Sequence, residues 1–230
     1  MTIAARLRHV HARRQALRRD LDVARQFATW EETCVPSYCH PNLAAAYMSW
    51  WRLFVAVDLA ERHVRWDAVL DFGAAVGELV HLLPQNVSHY DFIEQNEFAA
   101  RYLLRQAPQT RRHTLTSAPA GGYSCVFALD ALEHNREYPA LLQALAQKLQ
   151  PGGVMVISGP TESGLYRLGR RIAGFGGHYH QTDIYEIEAA ARRLMACLEI
   201  RSLPPVASLF RLSAWRVRPE ESGPTDVRAN

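Results

Sequence analysis

Lysine is almost missing: Lys148 stands alone against twenty-five arginines in a chain of 230 residues. The net charge is still only +3, so the arginines do not make a strongly basic protein. Their excess fits a GC-rich bacterial genome better than a functional patch. Cysteine is also sparse, at positions 34, 39, 125 and 197. Two of the four lie in apolar surroundings, and all four read as reduced thiols of a cytoplasmic protein. Cys34, Cys39 and His40 lack the second ligand pair that a structural zinc site needs, so no metal is expected. No apolar run approaches the roughly 20 residues of a membrane span. The basic start is followed by no hydrophobic stretch or small-residue cleavage site, so no secretion signal is expected. Internal repeats and low-complexity segments are absent. What remains, 48% hydrophobic and 21% charged, is enough for one α/β domain with a buried core.

The chain is organised around residues 68–94. Ala68-Val69-Leu70-Asp71-Phe72 has the length and composition of a buried parallel strand. A turn follows through Gly73-Ala74-Ala75-Val76-Gly77, then a helical stretch carrying Leu79, Val80, Leu82 and Leu83. A second strand, 88–93, ends in Glu94, twenty-one residues beyond Gly73. Gly73 permits a positive φ and a close backbone approach to a ligand, and Gly77 lets the helix start pack close to the strand. An acid at the tip of the second strand can accept hydrogen bonds from both ribose hydroxyls of a nucleotide-like ligand.

Upstream, residues 1–27 read as a basic amphipathic helix with Ile3, Leu7, Val10, Leu17, Leu21 and Ala24 on one stripe, which Arg14 interrupts. It serves as a packed helix or as a contact to a sister subunit or partner; an anionic membrane or nucleic acid is the alternative. Pro36 and Pro41 punctuate a loop whose Tyr38 and His40 could fold over a ligand, and 44–61 forms a strongly apolar helix. Downstream, the expected elements are a helix through Ala107, strands at 113–117 and 123–129, and a helix at 138–150 stopped by Pro151-Gly152-Gly153. A strand at 154–157 and a helix around 166–172 follow. Thr182 or Asp183 caps a helix reaching Cys197, and strands at 199–203 and 209–217 close the sheet. Residues 1–66 thus form an N-terminal helical extension or lid, 67–218 the α/β domain, and 219–230 a disordered tail. Alternating strands and helices imply a doubly wound, mostly parallel sheet.

The ordered set of motifs resembles class I S-adenosylmethionine-dependent methyltransferases. Residues 71–77 with Glu94 look like the family's first motif and ribose acid; Ala128-Leu129-Asp130-Ala131-Leu132-Glu133-His134 is similar to its fourth-strand motif. Residues 149–154 resemble the turn before its fifth strand. Gly177-His178-Tyr179-His180 resembles the segment after the core in bacterial small-molecule and glycan-pathway members. The resemblance implies a Rossmann-like sheet of seven strands with the last antiparallel, and S-adenosyl-L-methionine as cofactor. It places Asp71, Gly73, Ala74 and Gly77 along the methionine portion, Glu94 on the ribose, Gln95 beside the adenine, and Leu129 and Asp130 at the fourth-strand border. Ala75 replaces the family's frequent middle glycine, and no clear acid follows the third strand near Ser117.

Candidate general bases are His134, His178 and His180, needed only if the acceptor must lose a proton. Candidate acceptor contacts are Tyr38, His40, Glu162 and Tyr179. The expected function is O- or N-methylation of a small molecule, a sugar or a glycan intermediate, because little chain is left for recognising a polymer. Methylation of RNA or protein, and a cofactor-bound partner subunit without turnover, are the competing readings. A nicotinamide dehydrogenase is disfavoured by the missing third glycine.

Overall fold

The computed structural model describes residues 1–23, 25, 30, 33–161, 182–206 and 208–218. The apolar runs form the centre of one sheet. β1 (Ala68–Phe72) and β4 (Tyr123–Leu129) are buried along their whole length. Around them lie β2 (His89–Ile93), β3 (Arg111–Arg112), β5 (Leu149–Pro160), β6 (Met195–Leu203) and β7 (Phe210–Val217), in the spatial order β3-β2-β1-β4-β5-β7-β6. β7 is antiparallel to both its neighbours, and the β1 to β5 pairings are parallel. This is the seven-stranded, mostly parallel Rossmann-like sheet that the motifs imply. The strand order reverses between β1 and β4, and ligands of open α/β sheets bind at that reversal, beyond the carboxyl ends of the strands.

Strand alternation divides the core in two. Val69, Phe92, Phe127 and Val156 face a layer containing Val10 and Leu17 of α1 (Ile3–Asp20), Trp50 and Leu59 of α3 (Leu43–Glu61), and Leu103 of α4 (Glu97–Gln106). Leu70, Val126, Met155 and Ile157 face Leu142 and Leu145 of α5 (Tyr138–Ala146) and Ile187 and Ala191 of α6 (Ile184–Leu194). A single turn, α2 (Val35–Tyr38), precedes α3. With 19 residues, α3 is long and apolar enough to cross a membrane by length and composition, contrary to the expectation that no run would qualify. Its apolar surface is occupied within the fold, where Leu53, Phe54 and Leu59 are buried.

Several elements differ from their expected form. The helix after the glycine turn is only a 3-10 turn, Glu78–His81. Gly77 in the left-handed region opens it, and Pro84 disfavours helical geometry at Leu83. The third strand is Arg111–Arg112 instead of 113–117. Thr114 and Ser117 bond each other's backbone amides at 3.1 and 2.9 Å, and such local bonds compete with strand pairing. α5 stops at Ala146, and Pro151-Gly152-Gly153 lies inside β5 as a bulge: Leu149 and Val154 pair with Tyr123 and Cys125. α6 ends at Leu194, where β6 begins, short of Cys197. At its start Asp183 accepts from the amides of Tyr185 and Glu186, both at 2.9 Å, while Thr182 bonds the Glu186 carboxylate. The helix expected around 166–172 and the tail 219–230 lie outside the described residues.

Candidate functional site

The turn after β1 is held by backbone geometry that its residues make possible. Gly73 has φ +75°, and a Cβ there would stand 2.5 Å from the Ala131 Cβ just past β4. Its amide donates to the Ile93 carbonyl at 2.9 Å, tying the turn to the end of β2. Gly77 has φ +79°, and a Cβ there would lie 2.4 Å from Leu103 Cγ. Its closest neighbour is therefore α4, not the preceding strand that the sequence suggested. Between them Ala75 adopts φ +47°, a left-handed conformation costly for any residue with a Cβ.

The strain is matched by a contact. The Ala75 amide donates to Glu94 Oε2 at 2.7 Å, and the Asn96 amide donates to Glu94 Oε1 at 2.7 Å. Asn96 caps α4, and Arg112 donates to the Glu94 carbonyl at 2.8 Å. Glu94 is thus fixed from three sides while half-exposed, and Gln95 beside it is exposed. An ionised carboxylate offers about four acceptor positions. Two are used by amides, which leaves capacity for a pair of ribose hydroxyls. The residues present fit that part of an adenosyl cofactor.

Asp71, at the end of β1, sits beneath the turn with only 4% of its surface exposed. It accepts a hydrogen bond from the Tyr90 hydroxyl. Burial pushes its carboxyl up to about 7; the Tyr90 bond opposes that rise and the nearby Glu94 charge adds to it.

β4 ends in Leu129, which is buried, and Asp130, whose φ is +50°. The Asp130 amide donates to the Ser158 carbonyl at 3.1 Å, and Ser158 Oγ donates to Asp130 Oδ1 at 2.8 Å. The other carboxylate oxygen forms an ion pair with Arg52, from the middle of α3. Arg52 is 3% exposed, lies 4.9 Å over the Phe210 ring, and reaches Cys34 Sγ at 3.4 Å. Burial is the largest single influence and lowers its pKa, but Asp130 together with Cys34, Tyr38 and Glu133 outweighs that and holds it charged. The sequence reading missed Arg52. The available signal was a lone cation amid the apolar residues of a helix buried nearly all round, which demands a buried partner.

The N-terminal segments are tied to the turn after β1 and to one another by arginines. Arg13 of α1 grips Glu78, the residue after Gly77, with two bonds of 2.8 Å. Arg14 donates to the carbonyls of His40 at 2.6 Å and Pro41 at 2.8 Å, and Arg6 pairs with Asp58 at 2.5 Å. The residue that seemed to interrupt the stripe is therefore one of its ties. The stripe itself is only half covered: Val10, Leu17 and Leu21 are buried, but Ile3 is 75% and Leu7 47% exposed. Tyr38 is buried, with its ring 5.0 Å from Trp50, and burial raises its hydroxyl pKa well above the usual value. His40 lies in a turn where its Nδ1 accepts from the Asn42 amide at 3.0 Å. His134 is half-buried beside the buried Glu133. Glu162, His178, Tyr179 and His180 lie outside the described residues. Among the described residues no three His, Cys, Asp or Glu side chains converge as a metal site.

Residues 45–223 match the profile of a family described as methyltransferase domain. No curated protein matches the sequence. Solved structures share the fold at low identity. The N-methyltransferase NodS from Bradyrhizobium japonicum WM9, in complex with S-adenosyl-L-homocysteine, is 13% identical with a TM-score of 0.62, over 75% of this chain and 88% of that one. Magnesium protoporphyrin IX methyltransferase from Synechocystis PCC 6803, with the same molecule bound, is 18% identical with a TM-score of 0.62, over 89% and 100%.

Proposed function

The chain belongs to the methyltransferase-domain family, and we propose that it methylates an oxygen or nitrogen of a small molecule, a sugar or a glycan intermediate. S-adenosylmethionine is the donor; its sulfonium supplies an already activated methyl group. What the protein adds is placement, because orientation of two reactants supplies much of an acceleration of this kind. Glu94, locked by the Ala75 and Asn96 amides, receives the ribose hydroxyls. Gly73 and Ala74 give the methionine portion a backbone surface, with Gly77 holding that turn against α4; Leu129 and Asp130 bound the site from β4, and Gln95 flanks the adenine. His134, His178 or His180 takes the acceptor's proton where the acceptor must lose one. Tyr38, His40, Glu162 and Tyr179 contact the acceptor.

The observation that carries the choice of a small acceptor is how α1 uses its arginines. Arg6, Arg13 and Arg14 are committed to Asp58, Glu78 and the His40 and Pro41 carbonyls. Those three of the helix's six arginines are therefore spent inside the chain and are not available to neutralise the phosphates of an RNA, which leaves Arg8, Arg18 and Arg19 exposed. A panel with radiolabelled donor tests this reading: sugars, phenols and small amines against RNA and protein, at two salt concentrations. Label transfer to small acceptors that is insensitive to salt is the expected result. Transfer to RNA alone, falling steeply with salt, overturns it.

A further inference from the structure

We infer that the outward face of α1 docks on an anionic lipid bilayer, with Ile3 and Leu7 entering the headgroup layer and Arg8 and Arg18 lying against lipid phosphates.

The arginines of α1 fall into two sets. Those facing the chain are matched: Arg6 pairs with Asp58 and Arg13 with Glu78, and Arg14 donates to the carbonyls of His40 and Pro41. Those facing away are mostly not. Arg8 and Arg18 are exposed, and among the described residues neither lies within ion-pair distance of an acid. Arg19, the third, pairs with its neighbour Asp20 at 2.8 Å. Residues 1–19 contain no acid, so the outward face carries positive charge alone along most of its length. Such a face complements a surface of negative charge.

The same face is apolar at its start. Residues four apart share one side of a helix. Ile3, Leu7, His11 and Gln15 form one exposed row, and Ala4, Arg8 and Ala12 form the next. Met1, Ile3 and Leu7 are 65%, 75% and 47% exposed. The ties of Arg6, Arg13 and Arg14 fix the rotation of α1 about its axis. Ile3 and Leu7 therefore cannot turn inward without breaking matched contacts.

This combination selects the occupant. RNA phosphates would match the arginines but offer aliphatic side chains nothing to enter, and α1 has no Phe, Tyr or Trp on which a base could stack. A second copy of the face would cover Ile3 and Leu7. An isologous pairing, however, sets the arginines of one helix against those of the other. Three apolar side chains also fall far short of the roughly 800 Å² per partner that a stable interface buries. A bilayer with anionic headgroups meets both needs, giving the aliphatic groups an acyl boundary and the arginines phosphates.

Flotation of the full chain with vesicles tests this surface, and its outcome does not depend on the methyl acceptor. The vesicles are phosphatidylcholine alone, and phosphatidylcholine with an equal share of phosphatidylglycerol. Wild type should partition at least about tenfold more strongly into the anionic vesicles, and the preference should shrink as salt rises. Ile3→Ser with Leu7→Ser, and separately Arg8→Gln with Arg18→Gln, change only exposed side chains. Each pair should weaken binding to anionic vesicles about tenfold and leave the thermal midpoint unchanged. Equal binding of wild type to both vesicles, or to neither, overturns the inference whether or not the variants fold. Undiminished binding in either variant overturns it as well. Without vesicle binding, a dimer that Ile3→Ser with Leu7→Ser dissolves assigns the face to a second copy. Without vesicle binding, RNA binding lost in Arg8→Gln with Arg18→Gln assigns it to nucleic acid.

Discussion

The Glu94 carboxylate accepts the Ala75 amide at 2.7 Å, and Ala75 has a left-handed φ of +47°. The contact joins the tip of β2 to the turn after β1, so the two sides of the proposed cofactor site form one unit. It also explains why alanine can stand where a glycine is frequent: the acid at β2 holds the amide that the unusual backbone presents.

Gly77→Ala should cost stability by two routes. The left-handed φ of +79° penalises any Cβ, and Leu103 Cγ already occupies its place at 2.4 Å. Strain and overpacking together should reach about 2–4 kcal/mol, read as a fall in thermal midpoint. Adding Leu103→Ala should not restore wild-type stability, because it relieves the clash but not the backbone.

Arg13→Ala strands Glu78, whose side chain is 1% exposed. Removing one partner of a buried pair costs about 3–5 kcal/mol, and the 16% exposure of Arg13 places this case at the lower end. Urea unfolding should show the loss, and Arg13→Ala with Glu78→Gln should recover much of it. A loss unaffected by the second change would mean that Arg13 acts through packing instead of charge.

Asp71 should give stability an unusual pH dependence. Burial raises its folded pKa to about 7, from an ordinary value of 3.8. The folded state therefore holds a proton that the unfolded state has released, and stability declines as pH rises from about 4 to 7. Asp71→Asn should flatten that slope, which denaturant titrations at several pH values would show. An unchanged slope would place its origin elsewhere.

The central strands and the motif turn were legible in the sequence because their signals are local. Val69, Leu70, Val126 and Phe127 form continuous apolar runs, and the runs end in Gly73 and Asp130. β3 was not legible, since two arginines at an exposed sheet edge carry no burial pattern. Gly77 was recognised as necessary, but Leu103, the neighbour that requires it, lies in a helix twenty-six residues later. Arg52, Arg13 and Arg14 were hidden for the same reason. Each is defined by a partner far along the chain, and a sequence pattern records the cation without its counterpart.

The most direct test is calorimetric titration of wild type and Glu94→Ala with S-adenosylmethionine, S-adenosylhomocysteine and, as control, NAD. Micromolar-range binding of both adenosyl ligands is expected, the ordinary scale for such a cofactor. It should weaken by at least about tenfold in the variant, which loses both the ribose acceptor and the clamp on Ala75, with no binding of NAD. Binding of NAD without either adenosyl ligand, or full affinity in Glu94→Ala, would contradict the account.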